Sequence, residues 1–256
     1  MVTENELVIY TVDDAVATIT LNRPGKANSF DGEMWLALEH ALNTVALDAS
    51  IKVLILTGSG KSFCGGLDIN KAAAEGIFLQ GRTFRPGFEC LQFVSGVFTL
   101  LERLPVPVIA AVNGGCIGLG MELALACDIR LASEEAVFSI PEVIFGLVPD
   151  CGGTQRLPRL VGPAMAKELI FSGRRINAAE ALRIGLVNHL YPKLVLIEES
   201  VKLATEIAAN SADAVQTSKR CINMAMNSSL DAGLQFETTS ALAVLGEKAK
   251  TMIRTE

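Results

Sequence analysis

Three acids fall within one glycine-rich stretch of the chain, residues 113 to 154: Glu122, Glu142 and Asp150. Glu122 sits in GCIGLGMELALAC, a helix-like run that is apolar on nearly every side. A carboxylate there cannot simply face water. Burial without partners raises its pKa or makes it keep its proton. Glu122 is therefore either a structural acid bonded to backbone N–H groups or a general acid or base with tuned proton affinity. Glu142 follows Pro141 in FSIPEVIFG. Proline's fixed φ suits the start of a short helix, and an acid in the first turn favours the helix N-terminus. Asp150, in LVPDCGGT, stands where a turn or cap acid is common. Each acid alone has a structural explanation. Together, beside glycine-rich backbone, they are candidates for proton transfer.

That backbone is itself a candidate. GGLDI at 65 to 69 and NGGCIGLGME at 113 to 122 place N–H groups in irregular settings. Two such groups aimed at one carbonyl oxygen make an oxyanion hole. Glycine allows the close approach and unusual dihedrals this needs. Neither segment is a P-loop, since no GKS or GKT follows it, and neither is a dinucleotide fingerprint. Other constellations are weaker. His40 and His189 are isolated, which gives neither a metal site nor a catalytic dyad. Ser62, Ser139 and Ser218 lack a G-x-S-x-G context. Cys64 and Cys151 lie beside glycines but have no histidine nearby in sequence to activate a thiolate.

These groups need a scaffold, and the pattern of apolar residues describes one. Residues 7 to 21 read as two strands around a turn at Asp13 and Asp14. NRPGKANSF is a loop, and Ser29 or Asn28 is a candidate cap for the helix after it. Phe30, Met34, Leu38, Ala41, Leu42 and Val45 recur at helical spacing. KVLILT at 52 to 57 suits a central strand, and the glycine-rich loop behind it is a common ligand position in open α/β folds. A helix over 89 to 103 ends at Pro105 and Pro107. Residues 108 to 112 read as a buried strand, 117 to 127 as an almost uncharged helix, and 129 to 132 and 136 to 138 as short strands. CGGTQRLP reads as irregular. Helices follow over 163 to 171, 178 to 184, 195 to 209, 213 to 226 and 230 to 246, with a strand at 186 to 189 between them. The fold class is α/β: strands and ligand-type loops first, helices after about residue 160.

Composition bounds the partners. The chain has 256 residues, 50% hydrophobic and 20% charged, enough for a substantial core. A net charge of −6 without a basic run argues against nucleic acid. Six cysteines without metal-type spacing suggest a reducing, cytoplasmic setting. The acidic N-terminus, MVTENELVIY, is not a signal peptide. The long uncharged stretch from 104 to 121 holds Pro105, Pro107 and Asn113, so a strand, a turn and a helix explain it better than membrane insertion.

NRPGKANSF, LTGSGKSFCGGLDI, PVIAAVNGGCIGLGMELALACDIRLAS, FSIPEVIFGLVPDCGGTQRLPRLVG and FSGRRINAAEALRIGLVNHL resemble, in order and spacing, the motif series of the crotonase, or enoyl-CoA hydratase/isomerase, superfamily. The resemblance runs over residues 7 to 240. It implies a spiral of repeated ββα units over residues 1 to 195 and a C-terminal helical trimerisation region over 196 to 256. It implies acyl-CoA thioester substrates, self-association as a trimer or dimer of trimers, and no metal or redox cofactor. The thioester oxygen would meet the N–H groups of Leu67 and Leu119. The positions matching those that hold CoA are Lys26, Ala27, Asn28, Gly65, Gly66, Leu67, Asp68 and Ile69. Hydratases of the family use two glutamates, whose positions match Glu122 and Glu142.

Two departures stand out. Asp150 replaces the glycine usual in hydratases, whereas several isomerase branches carry an acid there. Dienoyl-CoA isomerases pair it with an acid matching Glu142. The tail, GEKAKTMIRTE, stops early, and Lys248 and Lys250 there are either a phosphate contact or, more simply, a solvated lysine run. The paired glutamates point to hydration of a 2-enoyl-CoA. The alternatives are double-bond isomerisation by Glu142 and Asp150, and a non-catalytic acyl-CoA binder. Acyl-chain preference is expected to lie in residues 72 to 88, where Phe78, Phe84 and Phe88 are candidate pocket walls.

Overall fold

The computed structural model describes the backbone of residues 3–5, 7–71 and 88–254 and the side chains of residues 7–71 and 89–246. Phe78, Arg82, Phe84 and Arg85, and the side chains of Phe88, Lys248 and Lys250, lie outside the described residues.

The chain starts with β1 (Thr3–Asn5), β2 (Val8–Asp13) and β3 (Val16–Leu21), joined antiparallel. After α1 (Gly32–Leu47) a repeat sets in. β4 (Val53–Gly58) and β5 (Ser62–Cys64) precede α2 (Phe88–Arg103). β6 (Val108–Val112) and β7 (Gly115–Ile117) precede α3 (Leu119–Leu125). β8 (Ile129–Ser133) and β9 (Val137–Ser139) precede α4 (Gly153–Val161). In each pair the first strand joins a seven-stranded sheet and the second a four-stranded sheet. The remaining elements are α5 (Pro163–Ser172), β10 (Ile176–Asn177), α6 (Ala178–Arg183), β11 (His189–Tyr191), α7 (Leu196–Ala208), α8 (Ala212–Ala225) and α9 (Leu230–Arg254). The large sheet runs β1-β2-β3-β4-β6-β8-β11 and is parallel from β3 onwards. The small sheet runs β10-β9-β7-β5. This is an α/β spiral of repeated ββα units with a C-terminal helical region.

The central strands read as unbroken apolar runs because both faces are covered. Side chains alternate across a strand. Leu54 and Leu56 thus enter the main core with α1 and α2, while Val53 and Ile55 pack with Leu196, Ala204 and Ala208 of α7 on the other face. α1 buries Met34, Leu38, Ala41, Leu42 and Val45, the stripe read from the sequence. Trp35 joins Phe30 and Phe98 at ring separations of 4.6 and 5.1 Å. Buried Lys219 of α8 reaches Asp128 at 2.7 Å and the Val106 carbonyl at 3.0 Å. Among the described residues no helix is long and apolar enough to cross a membrane.

Several elements differ from the sequence reading. The cap of α1 is Asp31, whose carboxylate accepts from Met34 N at 2.9 Å, not Ser29 or Asn28. Phe30 still pairs in a strand-like bridge with Leu67, so the helix cannot start earlier. Residues 117 to 127 are not one helix: β7 ends at Ile117, Gly118 turns the chain at φ +57°, and α3 follows. CGGTQRLP is not irregular but holds the start of α4, hidden by its glycines and by Pro158. The strand expected at 186 to 189 lies at His189–Tyr191, beside β8, and the last helix runs on to Arg254.

Asn28 holds the first glycine-rich loop in place. It is fully buried, with φ +57°. Its Nδ2 donates to the carbonyls of Ser62, Ser59 and Phe63 at 2.8, 3.0 and 3.2 Å, and its Oδ1 accepts from Arg23 N at 2.8 Å. Removing it strands buried carbonyls, each costing about 1–3 kcal/mol. Asn28→Ala is expected to destabilise the protein by about 3 kcal/mol or more, read as the midpoint of urea unfolding. An unchanged midpoint would contradict this role.

Candidate active site

The site is assembled where β5, β7 and β9 end. Gly120 of α3 lies so close to Cys64 that a Cβ there would collide with the Cys64 carbonyl. That approach places the first turn of α3 against the loop leaving β5. Gly66 has φ +98°, and a Cβ on it would sit 2.9 Å from the Ile117 carbonyl and 3.6 Å from Leu119 N. Leu67 N and Leu119 N are therefore neighbours. Phe30 N donates to Gly66 O at 2.7 Å and Asp68 N to Phe30 O at 2.8 Å. This parallel bridge turns the Leu67 N–H to the opposite side of the strand. Among the described residues neither Leu67 N nor Leu119 N donates to a protein acceptor. Two N–H donors free to take a carbonyl oxygen lie side by side.

Glu122 occupies the first turn of α3 and is only 1% exposed. Its Oε1 accepts from Cys151 N at 2.9 Å and Gly153 N at 2.8 Å. Burial pushes its pKa up to about 7. The Gly153 and Cys151 N–H groups work against that rise, and the charges of Glu142 and Asp150 add to it. Gly153 packs tightly there, since a Cβ on it would lie 3.0 Å from Glu122 Oε1.

Glu142 opens a short 3-10 turn, Glu142–Phe145, after Pro141. A Cβ on Gly118 would lie 2.8 Å from its Oε1, so a glycine at 118 serves both the positive φ and this carboxyl. Oε2 of Glu142 is buried with no hydrogen-bond partner. Burial, opposed by its own backbone N–H and aided by the Asp150 charge, raises its proton affinity. A buried, unbonded carboxyl oxygen is a group awaiting a partner.

Asp150 is exposed, at the rim. Carboxylate oxygens of Glu122 and Asp150 and the Cys151 sulfur all lie within 4.8 Å of one another. Burial and the adjacent acids hold the Cys151 thiol protonated. Burial alone pushes the Cys64 thiol up to about 12. Neither cysteine is an activated nucleophile.

The two loops matched to CoA also meet. Ala27 O accepts from Gly65 N at 2.8 Å, and Gly65 fits closely beneath Ala27 and Ser29. Lys26 and Ile69 face solvent, while the Asn28 amide is committed to the loop carbonyls. The Asp68 carboxylate is committed too: Arg23 bridges it at 3.1 Å to Asp31 at 3.3 Å. Among the described residues the loop carrying Leu67 thus meets the start of α3 at Leu119, and Glu122, Glu142 and Asp150 lie close enough for their charges to act on one another. Two features escaped the sequence reading. Arg156 of α4 lies beneath the 151–153 turn, and Ile144, Phe145, Leu147 and Val148 stand exposed just after Glu142. An apolar run in sequence gives no sign of being uncovered.

The model of the enoyl-CoA hydratase/isomerase family matches residues 11–252. A short-chain-enoyl-CoA hydratase of Clostridium acetobutylicum is 42% identical over 232 residues, 90% of this chain and 86% of that protein. The human mitochondrial Delta(3,5)-Delta(2,4)-dienoyl-CoA isomerase is 37% identical over 210 residues, 80% of this chain and 64% of that protein. The crystal structure of an enoyl-CoA hydratase from Bacillus anthracis has a TM-score of 0.87 and 37% identity, covering 94% of this chain and 91% of that one. The spiral fold, the converging glycine loops and these likenesses agree: the chain belongs to the enoyl-CoA hydratase/isomerase family of the crotonase superfamily.

Proposed function

We propose that the chain hydrates a 2-enoyl-CoA to the 3-hydroxyacyl-CoA, with Glu122 and Glu142 sharing the proton work. The single observation that carries this is the pairing of two raised-pKa glutamates, one of them with an unbonded buried oxygen, beside two free backbone N–H groups. Leu67 and Leu119 N–H bind the thioester oxygen and stabilise the enolate charge that develops as water adds. The two glutamates hold the water. One carboxylate takes its proton as the oxygen bonds to C3, and Glu142 delivers a proton to C2, with Glu122 orienting and helping to activate the water. Such a pair titrates as a unit and works with one shared proton. No metal or redox cofactor enters, and CoA arrives as part of the substrate. Lys26, Ala27 and the backbone from Gly65 to Ile69 line its path, with Asn28 and Asp68 fixing the loops.

The names of relatives fit both chemistries of the family, and Asp150 supports a second reading. An acid within 4.8 Å of Glu122 and raising the Glu142 pKa could move a proton between carbons of a 3-enoyl- or 3,5-dienoyl-CoA. In the hydratase reading Asp150 instead tunes the pair. Self-association as a trimer or dimer of trimers fits the exposed Ile222, Leu230, Leu234, Leu242 and Leu245 of α8 and α9. A cytoplasmic setting fits the six free cysteines.

Pure protein is expected to bleach the enoyl absorbance of crotonyl-CoA. No loss, with crotonyl and longer chains alike, would exclude hydration. Glu142→Gln and Glu122→Gln should each lower kcat by about 10²–10⁴-fold, and a variant keeping full activity would remove that residue from the mechanism. Asp150→Asn separates the two readings. Removing a nearby negative charge makes protonation of Glu122 and Glu142 less favourable, so both pKa values fall. A hydratase then keeps its activity with both limbs of the pH–rate profile moved to lower pH. Abolished turnover of a 3-enoyl- or 3,5-dienoyl-CoA would instead assign Asp150 to isomerisation.

A further inference from the structure

Glu122 depends on a turn, and the turn depends on Arg156. The Arg156 guanidinium lies behind residues 151 to 153, its side chain 14% exposed. Its Nη1 donates to the Cys151 carbonyl at 2.9 Å. Its Nη2 and Nε donate to Oε2 of Glu102, on α2, at 2.8 and 3.3 Å. Gly152, with φ +106°, has room for no side chain, because a Cβ there would collide with the guanidinium. The Gly152 carbonyl accepts from Arg156 N at 2.8 Å and Gln155 N at 3.0 Å. Both carbonyls of the turn are thus held on the Arg156 side. The Cys151 and Gly153 N–H groups project to the other side, onto Glu122.

We propose that Arg156, braced by Glu102, is a positioning residue for Glu122, holding the 151–153 turn so that both of its N–H groups stay on the Glu122 carboxylate. This rests on the reading of Glu122 as a proton-handling group. Arg156 acts through the peptide, not as a contact ion. The charged and titratable groups facing Glu122 are Glu142 from its 3-10 turn and Asp150 and Cys151 from the loop before α4. The α2 helix is linked to the same loop at its other end, where the Asp150 charge is felt by Cys90. A change in α2 would therefore reach the proton affinity of Glu122 through one ion pair.

The test is an infrared titration of the protonated-carboxyl band that Glu122→Gln removes, in the parent protein, Glu102→Gln and Arg156→Met. Losing the grip of an N–H donor on a carboxylate raises its pKa. Arg156→Met is expected to titrate about one pH unit higher, with kcat down about tenfold and KM within about twofold. Glu102→Gln is the sharper variant and remains informative even if Arg156→Met does not fold. A direct charge effect would lower the Glu122 pKa there, because a negative charge is removed. Loosening of the turn raises it. An upward shift in Glu102→Gln supports the proposal; an unchanged or lowered titration overturns it. The titration needs no substrate, so failure of the hydratase reading would appear separately, as absence of turnover by the parent protein.

Discussion

A carboxylate that is 1% exposed and held by two backbone N–H groups is the constraint on which the rest of the site depends. Burial alone would make Glu122 a permanently neutral acid, since an unpaired charge in an apolar interior is very costly. The Cys151 and Gly153 N–H groups restore part of the lost hydration. The opposing effects leave the group near pKa 7, where a carboxyl can both take and release a proton. The 151–153 turn, the start of α4 and the first turn of α3 must all keep their places for that balance to hold.

The second constraint is steric. Four glycines set distances that a side chain would open. Gly120 brings α3 onto Cys64, Gly66 brings the β5 loop onto Ile117, Gly118 leaves room for Glu142, and Gly153 closes on Glu122. The spiral makes these contacts possible. Each ββα unit sends its second strand into the small sheet, so the loops after β5, β7 and β9 leave the sheet side by side. Three units of the repeat thus share the site: Leu67 comes from the first, Leu119 and Glu122 from the second, and Glu142 and Asp150 from the third.

Much of this was legible because the signals are local. The unbroken apolar runs of β4 and β6, the helical stripe of α1 and the lone acid in an apolar helix each follow from burial. The resemblance of the motif series supplied the spiral and the grouping of Glu122, Glu142 and Asp150. What stayed hidden depends on tertiary contact. Asp31 caps α1 because Phe30 is held by a bridge to residue 67, and sequence spacing does not reveal that pairing. β7 went unread, with Ile117 placed in the helix, because its three residues, GCI, carry no alternation to read. The Glu102–Arg156 pair joins residues 54 positions apart.

The account predicts that water becomes part of the product. A panel of 2-enoyl-, 3-enoyl- and 3,5-dienoyl-CoA thioesters, incubated with the protein in ¹⁸O-labelled water and read by mass spectrometry, tests this directly. A 2-enoyl-CoA that gains one labelled water is the predicted result. Products of unchanged mass with a shifted double bond, and no labelled product from any 2-enoyl-CoA, would contradict it and assign the three acids to isomerisation.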